Sequence, residues 1–71
     1  MSYQCRDWIG ETHTVRVQGE VILANAESNI YLAKLSKTTF RVHYGLQHTF
    51  HGSLEDAVVE FGNCFLHANA N

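Results

Sequence analysis

Hydrophobic and polar residues alternate through the middle of the chain, which predicts β-strands. The first alternating run spans residues 14–23, and its apolar members are Val15, Val17, Val21 and Leu23. A period of two places these side chains on one face of a single strand. Gly19 interrupts that face, so we expect it to mark a bulge or a close approach of another segment.

Three further strands are predicted, at residues 30–35, 39–44 and 47–51. The second strand is compatible with burial of either face. In the third strand the apolar residues alternate regularly with polar ones, as in a half-buried strand. Polar turn segments at 25–29 and 36–38 separate the first three strands.

The turn that begins at Gly45 leaves two registers open for the last two strands. A loop of two residues places Phe50 opposite Arg41, and a loop of three residues places Phe50 opposite Val42. We expect the three-residue loop, because it keeps Val42 and Phe50 on the same face of the sheet.

An amphipathic helix is predicted from Leu54 to Ala68. Ser53 precedes it and can accept a hydrogen bond from the backbone N–H of Asp56, as an N-cap does. Glu55 and Asp56 lie in the first turn, where the helix dipole favours anions, and His67 lies in the last turn, where it favours cations.

The order of these elements predicts an α+β fold. We expect an antiparallel meander of about four strands, with the C-terminal helix packed on one face of the sheet. The first ten residues are compatible with a short edge strand or with an arm laid over the core. Seventy-one residues are enough for one domain, 1–71.

The apolar arc of the helix is wider than one face of a sheet covers. A core stripe is predicted from the residues that fall within about 120° of the helix circumference: Leu54, Ala57, Val58, Phe61, Cys64, Phe65 and Ala68. Val59 and Leu66 fall outside this stripe, and Gly62 lies between the two. Either the N-terminal segment with Trp8 and Ile9 covers them, or another protein does.

The helix flank is therefore the predicted partner-binding surface. It consists of Val59, Gly62 and Leu66, with the adjoining acids Glu55 and Glu60. We expect the partner to be another protein, either a second copy in a homodimer or a larger target. Gly62 would let the backbone of that partner approach closely.

Charge makes nucleic acid a less favoured partner. The chain has five Lys and Arg against seven Asp and Glu, so it lacks the basic excess typical of nucleic-acid binding. A nucleic-acid-binding regulator remains an alternative, using the sheet face away from the helix. The residues expected on that face are Arg16, Gln18, Arg41, His43, Thr49 and His51, joined by Tyr31 in one of the two registers of its strand.

A small metal or thiol site at His48, Cys64 and His67 is the third hypothesis. Cys64 lies near the C-terminal end of the helix, where the dipole opposes a thiolate, so core packing is the expected role of this thiol. No other motif indicates catalysis or a cofactor, and we expect neither. The N-terminus lacks the apolar stretch of a signal peptide, and no segment is long enough to span a membrane. A cytoplasmic protein with reduced cysteines is expected.

These patterns together predict a small non-enzymatic protein-binding module that acts by occluding part of a larger protein. In size and class it is similar in general character to accessory proteins of phages and plasmids, including anti-CRISPR-type and polymerase inhibitors. That similarity carries no functional residue over to this chain.

Overall fold

Six strands, one α-helix and one short 3₁₀ helix make up residues 1–70, the part of the chain that this computed structural model describes. In chain order they are β1 (Ser2–Arg6), β2 (Thr12–Arg16), β3 (Glu20–Asn25), the 3₁₀ helix (Ala26–Ser28), β4 (Ile30–Ser36), β5 (Thr39–Tyr44), β6 (Gln47–His51) and α1 (Leu54–Ala68).

The main sheet is an antiparallel meander of four strands in the order β3-β4-β5-β6. Helix α1 packs on one face of this sheet, mainly over β4, β5 and β6. We call the covered side the inner face and the opposite side the outer face. The predicted α+β class, the meander and the extent of the helix are confirmed. So is the predicted cap, because the Ser53 hydroxyl accepts the Asp56 N–H at 3.1 Å.

A first core lies between α1 and the inner face. Alternate residues of β4 and β5 point towards the helix, as the pleat of a sheet requires. Together with two residues of the helix they form a buried cluster of Ile30, Leu32, Phe40, Val42, Ala57 and Cys64.

A second core lies on the outer face, beneath a separate hairpin of β1 and β2. The ring of Tyr3 stacks on that of Tyr31, with centroids 4.8 Å apart. The Tyr3 hydroxyl also donates a hydrogen bond to the carbonyl oxygen of Gly45. The ambiguous N-terminal segment is thus a strand, and the outer face that the sequence left open is partly covered.

The single strand predicted over residues 14–23 is wrong, because the structure divides it into β2 and β3. Gly19 lies between them with φ of +81°. A Cβ atom at this position would overlap with the carbonyl oxygen of Lys34. The predicted close approach at Gly19 is therefore confirmed. The left-handed conformation of Gly19 allows the chain to leave the hairpin and enter the main sheet. The sequence does not reveal this change of direction, because hydrophobic and polar residues continue to alternate past Gly19.

The expected register of β5 and β6 is also wrong. Only Gly45 and Leu46 connect the strands, and Arg41 lies opposite Phe50. Gly45 has φ of +62°, the left-handed conformation that a tight two-residue turn uses. Phe50 is therefore on the outer face, where the Arg41 guanidinium carbon lies 4.6 Å from its ring centroid. Thr49, opposite Val42, takes the inner face instead.

Alanine variants of two glycines, Gly10 and Gly19, distinguish the cost of backbone strain from the cost of steric crowding. Gly10 has φ of +89° and Gly19 has φ of +81°, but a Cβ at Gly10 meets no atom within 4 Å. Both alanine variants should lose about 1–2 kcal/mol from the left-handed conformation. Gly19→Ala should lose a further ~1–3 kcal/mol from overpacking against Lys34. Urea unfolding followed by circular dichroism measures both, and equal losses would contradict the close approach.

Candidate protein-binding surface

The buried stripe of α1 is narrower than the sequence predicts. Ala57 and Cys64 are buried, but Leu54, Val58 and Phe65 are 44%, 42% and 42% exposed. A helix is about 10 Å wide and strands lie about 4.8 Å apart, so one helix covers roughly two strands. Because α1 lies mainly over β4 to β6, the side of the helix away from β6 is not packed against the sheet, and these residues stay exposed.

The exposed side of α1 forms a continuous apolar surface, which we call the apolar flank and define as Leu54, Val58, Val59, Phe65 and Leu66. Val59 is 59% exposed and Leu66 is 68% exposed, and the half-buried Gly62 lies between them. The predicted acid Glu55 is exposed beside this surface.

Strand β3 extends the same apolar surface onto the sheet. Leu23 pairs with the fully buried Leu32, so both side chains point to the inner face. Leu23 nevertheless remains 40% exposed. The core between helix and sheet is therefore open on the side of β3.

The N-terminal segment does not cover Val59 and Leu66, so the first of the two alternatives for these residues is wrong. Trp8 lies in the loop between β1 and β2 and is 94% exposed, and Ile9 beside it is 57% exposed. The hairpin that carries both residues packs on the outer face, with the sheet between it and α1.

Glu60, the other acid predicted for the partner surface, lies on the opposite side of the helix. It lines a groove with Gln47 and Thr49 of β6. The Cys64 thiol donates to its Oε2 atom at 3.7 Å. The structure therefore brings Val59, Gly62, Leu66 and Glu55 together and places Glu60 apart from them.

The molecule exposes more surface than a compact monomer of its mass. Its accessible area is 4909 Å² for 8.0 kDa. The usual scaling for folded monomers gives about 4450 Å² at this mass. The excess of roughly 450 Å² agrees with a helix that leaves part of the sheet uncovered.

The hypothetical site at His48, Cys64 and His67 is not assembled. The corrected register turns His48 to the outer face, where its ring lies 5.8 Å from that of His43. On the inner side, His67 Nδ1 lies 3.0 Å from the Tyr44 hydroxyl. Cys5 and Cys64 are both free thiols, in cores on opposite faces of the sheet.

Burial raises the pKa of the Cys64 thiol, and the neighbouring Glu60 carboxylate raises it further. A neutral, buried thiol is a poor nucleophile. We therefore expect iodoacetamide at pH 8 to alkylate Cys64 several-fold more slowly than the half-buried Cys5, as measured by mass spectrometry of peptides. Faster modification of Cys64 would contradict this assignment.

The outer face differs from the predicted nucleic-acid platform. Tyr31 and His43 are buried, and Thr49 and His51 lie on the inner face. What the outer face exposes near β6 is His48 together with Phe50, whose rings meet edge to face at 5.5 Å.

These two residues were missed because their position depends on the register. The signal in the sequence is Gly45 itself, because a glycine at the first position of a hairpin loop favours a two-residue turn. In the structure Gly45 has the positive φ that such a turn requires.

His43 is the one charged or polar residue that is buried among those described, with 2% exposure. Its Nε2 atom has no hydrogen-bond partner in the described part of the chain. Burial lowers the pKa of His43, and the nearby Arg41 and His48 lower it further.

Acid should therefore destabilise the fold through His43. In the unfolded chain the imidazole titrates near its ordinary pKa of 6.5, whereas in the folded chain it stays neutral to lower pH. The stability present above pH 6.5 is lost as the pH falls below it, because only the unfolded state takes up the proton. Urea unfolding between pH 7.5 and pH 5 should show a smaller loss in His43→Gln than in the exposed control His67→Gln, a histidine that does not contribute to the shift of His43. An equal loss of unfolding free energy in the two variants would contradict the role assigned to His43.

The loop of the hairpin and the start of β2 form a cluster of Asp7, Glu11 and His13, with ligand atoms within 4.8 Å of one another. Asp7 Oδ1 accepts the N–H groups of Ile9 and Glu11 at 3.0 and 2.9 Å. Its Oδ2 lies 2.7 Å from His13 Nε2, and this hydrogen bond is the main cause that lowers the pKa of Asp7. Both carboxylate oxygens thus hold the loop, which accounts for the cluster as a structural feature.

The chain matches no protein-family model, and comparisons with curated proteins and with solved structures return no significant match. Among the described residues, no helix has both the length and the apolar character needed to cross a membrane.

Proposed function

We propose that this chain is a small non-enzymatic protein-binding domain. In this proposal its apolar flank docks on another protein and occludes part of the surface of that protein. The single observation that carries the proposal is the exposure of Val59 and Leu66. Both lie on a well-capped helix whose neighbouring apolar residues are also left uncovered.

Burial of the apolar flank supplies a driving force for association. Complete burial of one Val, Leu or Phe side chain is worth about 1.5–3 kcal/mol. The flank and Leu23 together offer six such side chains, each already at least 40% exposed in the isolated chain. A contiguous apolar surface on a small soluble protein is typical of an interaction site.

The acid beside the flank supports an interface with an apolar centre and a polar rim. Glu55 is exposed next to the apolar residues. Protein interfaces combine an apolar centre with a polar, solvated rim of this kind. A second copy of the chain would meet the same requirement as a larger target, and the mass in solution distinguishes the two.

The state of the potential nucleophile supports the non-enzymatic part of the proposal. The pKa of Cys64 is raised, and its thiol donates to the Glu60 carboxylate, whose negative charge opposes formation of a thiolate. That both cysteines are free supports a reducing, cytoplasmic location. An inhibitor of the kind that mobile elements encode would act by the occlusion proposed here.

The double variant Val59→Glu with Leu66→Glu tests the proposal. Because both side chains are exposed, the free energy of unfolding should change by no more than about 0.5 kcal/mol. Two charges in the apolar interface should abolish the complex, seen as loss of concentration-dependent mass in light scattering or of a co-purifying partner from the native host.

The matched control is Asn63→Glu, which adds a charge to an exposed position of the same helix outside the apolar flank. This variant should keep the complex. Unfolding of the double variant, or equal loss of the complex in the control, would show that the flank is not the interface.

A further inference from the structure

We propose that strand β6 and the groove beside it form a second binding site, for an extended peptide segment with a basic side chain. The peptide adds to the edge of the main sheet and places its basic side chain in the groove at Glu60. The apolar flank lies on the other side of α1, so this proposal does not depend on that surface.

Strand β6 is an edge that is open to pairing. It is the last strand of the main sheet, and four of its five residues are exposed. Its pairing with β5 continues through five residue pairs without a register shift. Edge strands are usually protected by Lys, by Pro or by a bulge. Gln47–His51 contains no such feature.

The other edge of the sheet, β3, is protected. Its register shifts between Val21 and Leu23, so a bulge interrupts the row of backbone groups that an incoming strand would need. It also begins with the charged residue Glu20. An added strand is therefore favoured at β6 over β3.

A groove runs along the inner side of β6, between this strand and α1. Its narrower part has a volume of about 50 Å³, with Val42 and Cys64 among its apolar lining and Thr49 and Glu60 among its polar lining. A wider, open part of about 280 Å³ continues towards Asn63. When a peptide adds to an exposed sheet edge, main-chain hydrogen bonds supply affinity and side-chain pockets supply specificity.

The charge of the groove selects a basic side chain. Glu60 accepts the weak hydrogen bond of the Cys64 thiol, and no salt bridge of the described residues includes it. Asp56 lies one helical turn before Glu60, which adds a second negative charge to this side of the helix. A Lys or Arg side chain entering the groove would pair with a half-buried carboxylate, where the pairing is stronger than on an open surface.

The outer side of β6 indicates which type of residue lies next to the basic residue in the bound peptide. Successive side chains of a strand point to opposite faces, so the neighbour of the basic residue lies beside Phe50. Phe50 is 56% exposed, with the Arg41 guanidinium on its ring. An apolar side chain at that position would bury the ring. The favoured ligand is therefore an extended segment in which basic and apolar residues alternate.

The experiment uses the full chain and a blocked, fluorescently labelled octapeptide of alternating lysine and valine. We expect saturable binding by fluorescence anisotropy, with a dissociation constant at or below about 1 mM that increases with salt concentration. NMR shift changes should be confined to β6 and to the residues of α1 that line the groove. A glutamate–valine octapeptide should bind at least tenfold more weakly.

Glu60→Gln is the test variant, because an amide oxygen still accepts the thiol hydrogen bond while the charge is removed. It should weaken binding of the lysine–valine peptide at least fivefold. The matched control Glu55→Gln removes the same charge from an exposed position of the same helix and should leave affinity within twofold. Thr49→Lys, which places a like charge at the edge strand, should also weaken binding. Val59→Glu with Leu66→Glu should bind normally.

Three results with the peptides would overturn the proposal: no binding of the lysine–valine peptide at 1 mM, equal binding of the glutamate–valine peptide, or equal loss of affinity in the two glutamine variants. Binding of a single-stranded oligothymidine at Phe50 with no peptide binding would also overturn it and assign this edge to nucleic acid. Circular dichroism confirms that each variant is folded.

Discussion

The structure depends on a mismatch of widths between one helix and a sheet of four strands. A single helix covers about two strands, and α1 lies mainly over β4, β5 and β6. The only other packing element among the described residues, the hairpin of β1 and β2, lies on the outer face. Strand β3 is consequently left without a helix above it, and Leu23 and Val58 remain exposed although both belong to an apolar surface.

The hairpin determines what the outer face can do. By stacking Tyr3 on Tyr31 it buries the centre of this face, and it encloses His43 there, where burial lowers the pKa of the imidazole. The hairpin does not extend over the whole sheet, so His48 and Phe50 at the β6 edge stay exposed. The centre of the outer face is thus covered and its β6 edge exposes aromatic rings, unlike the open polar face that the nucleic-acid alternative requires.

Features fixed by local interactions could be predicted from the sequence, and features fixed by long-range contacts could not. Helix α1 follows from its periodicity and from the hydroxyl of Ser53, so its extent is predicted correctly. The alternation over residues 14–23 does not reveal the left-handed Gly19, which turns the chain from one sheet into the other. Likewise the hydrophobicity of Phe50 favours a buried position, whereas the turn geometry at Gly45 places it outside. The width of the apolar arc of α1 also does not reveal which element, if any, covers its outer residues.

The separation of the two sheets has a consequence for the dynamics of the fold. Strands β1 and β2 pair only with each other among the described strands, and the hairpin is joined to the main sheet by side chains such as Tyr3 and Asn29. Detachment of the hairpin therefore breaks none of the strand pairing in the main sheet. The hairpin is therefore a structural unit distinct from the four-stranded core, and such a unit can open without global unfolding. Hydrogen exchange of the amides in a unit of this kind reports its partial opening, whereas amides in the centre of a core exchange through global unfolding.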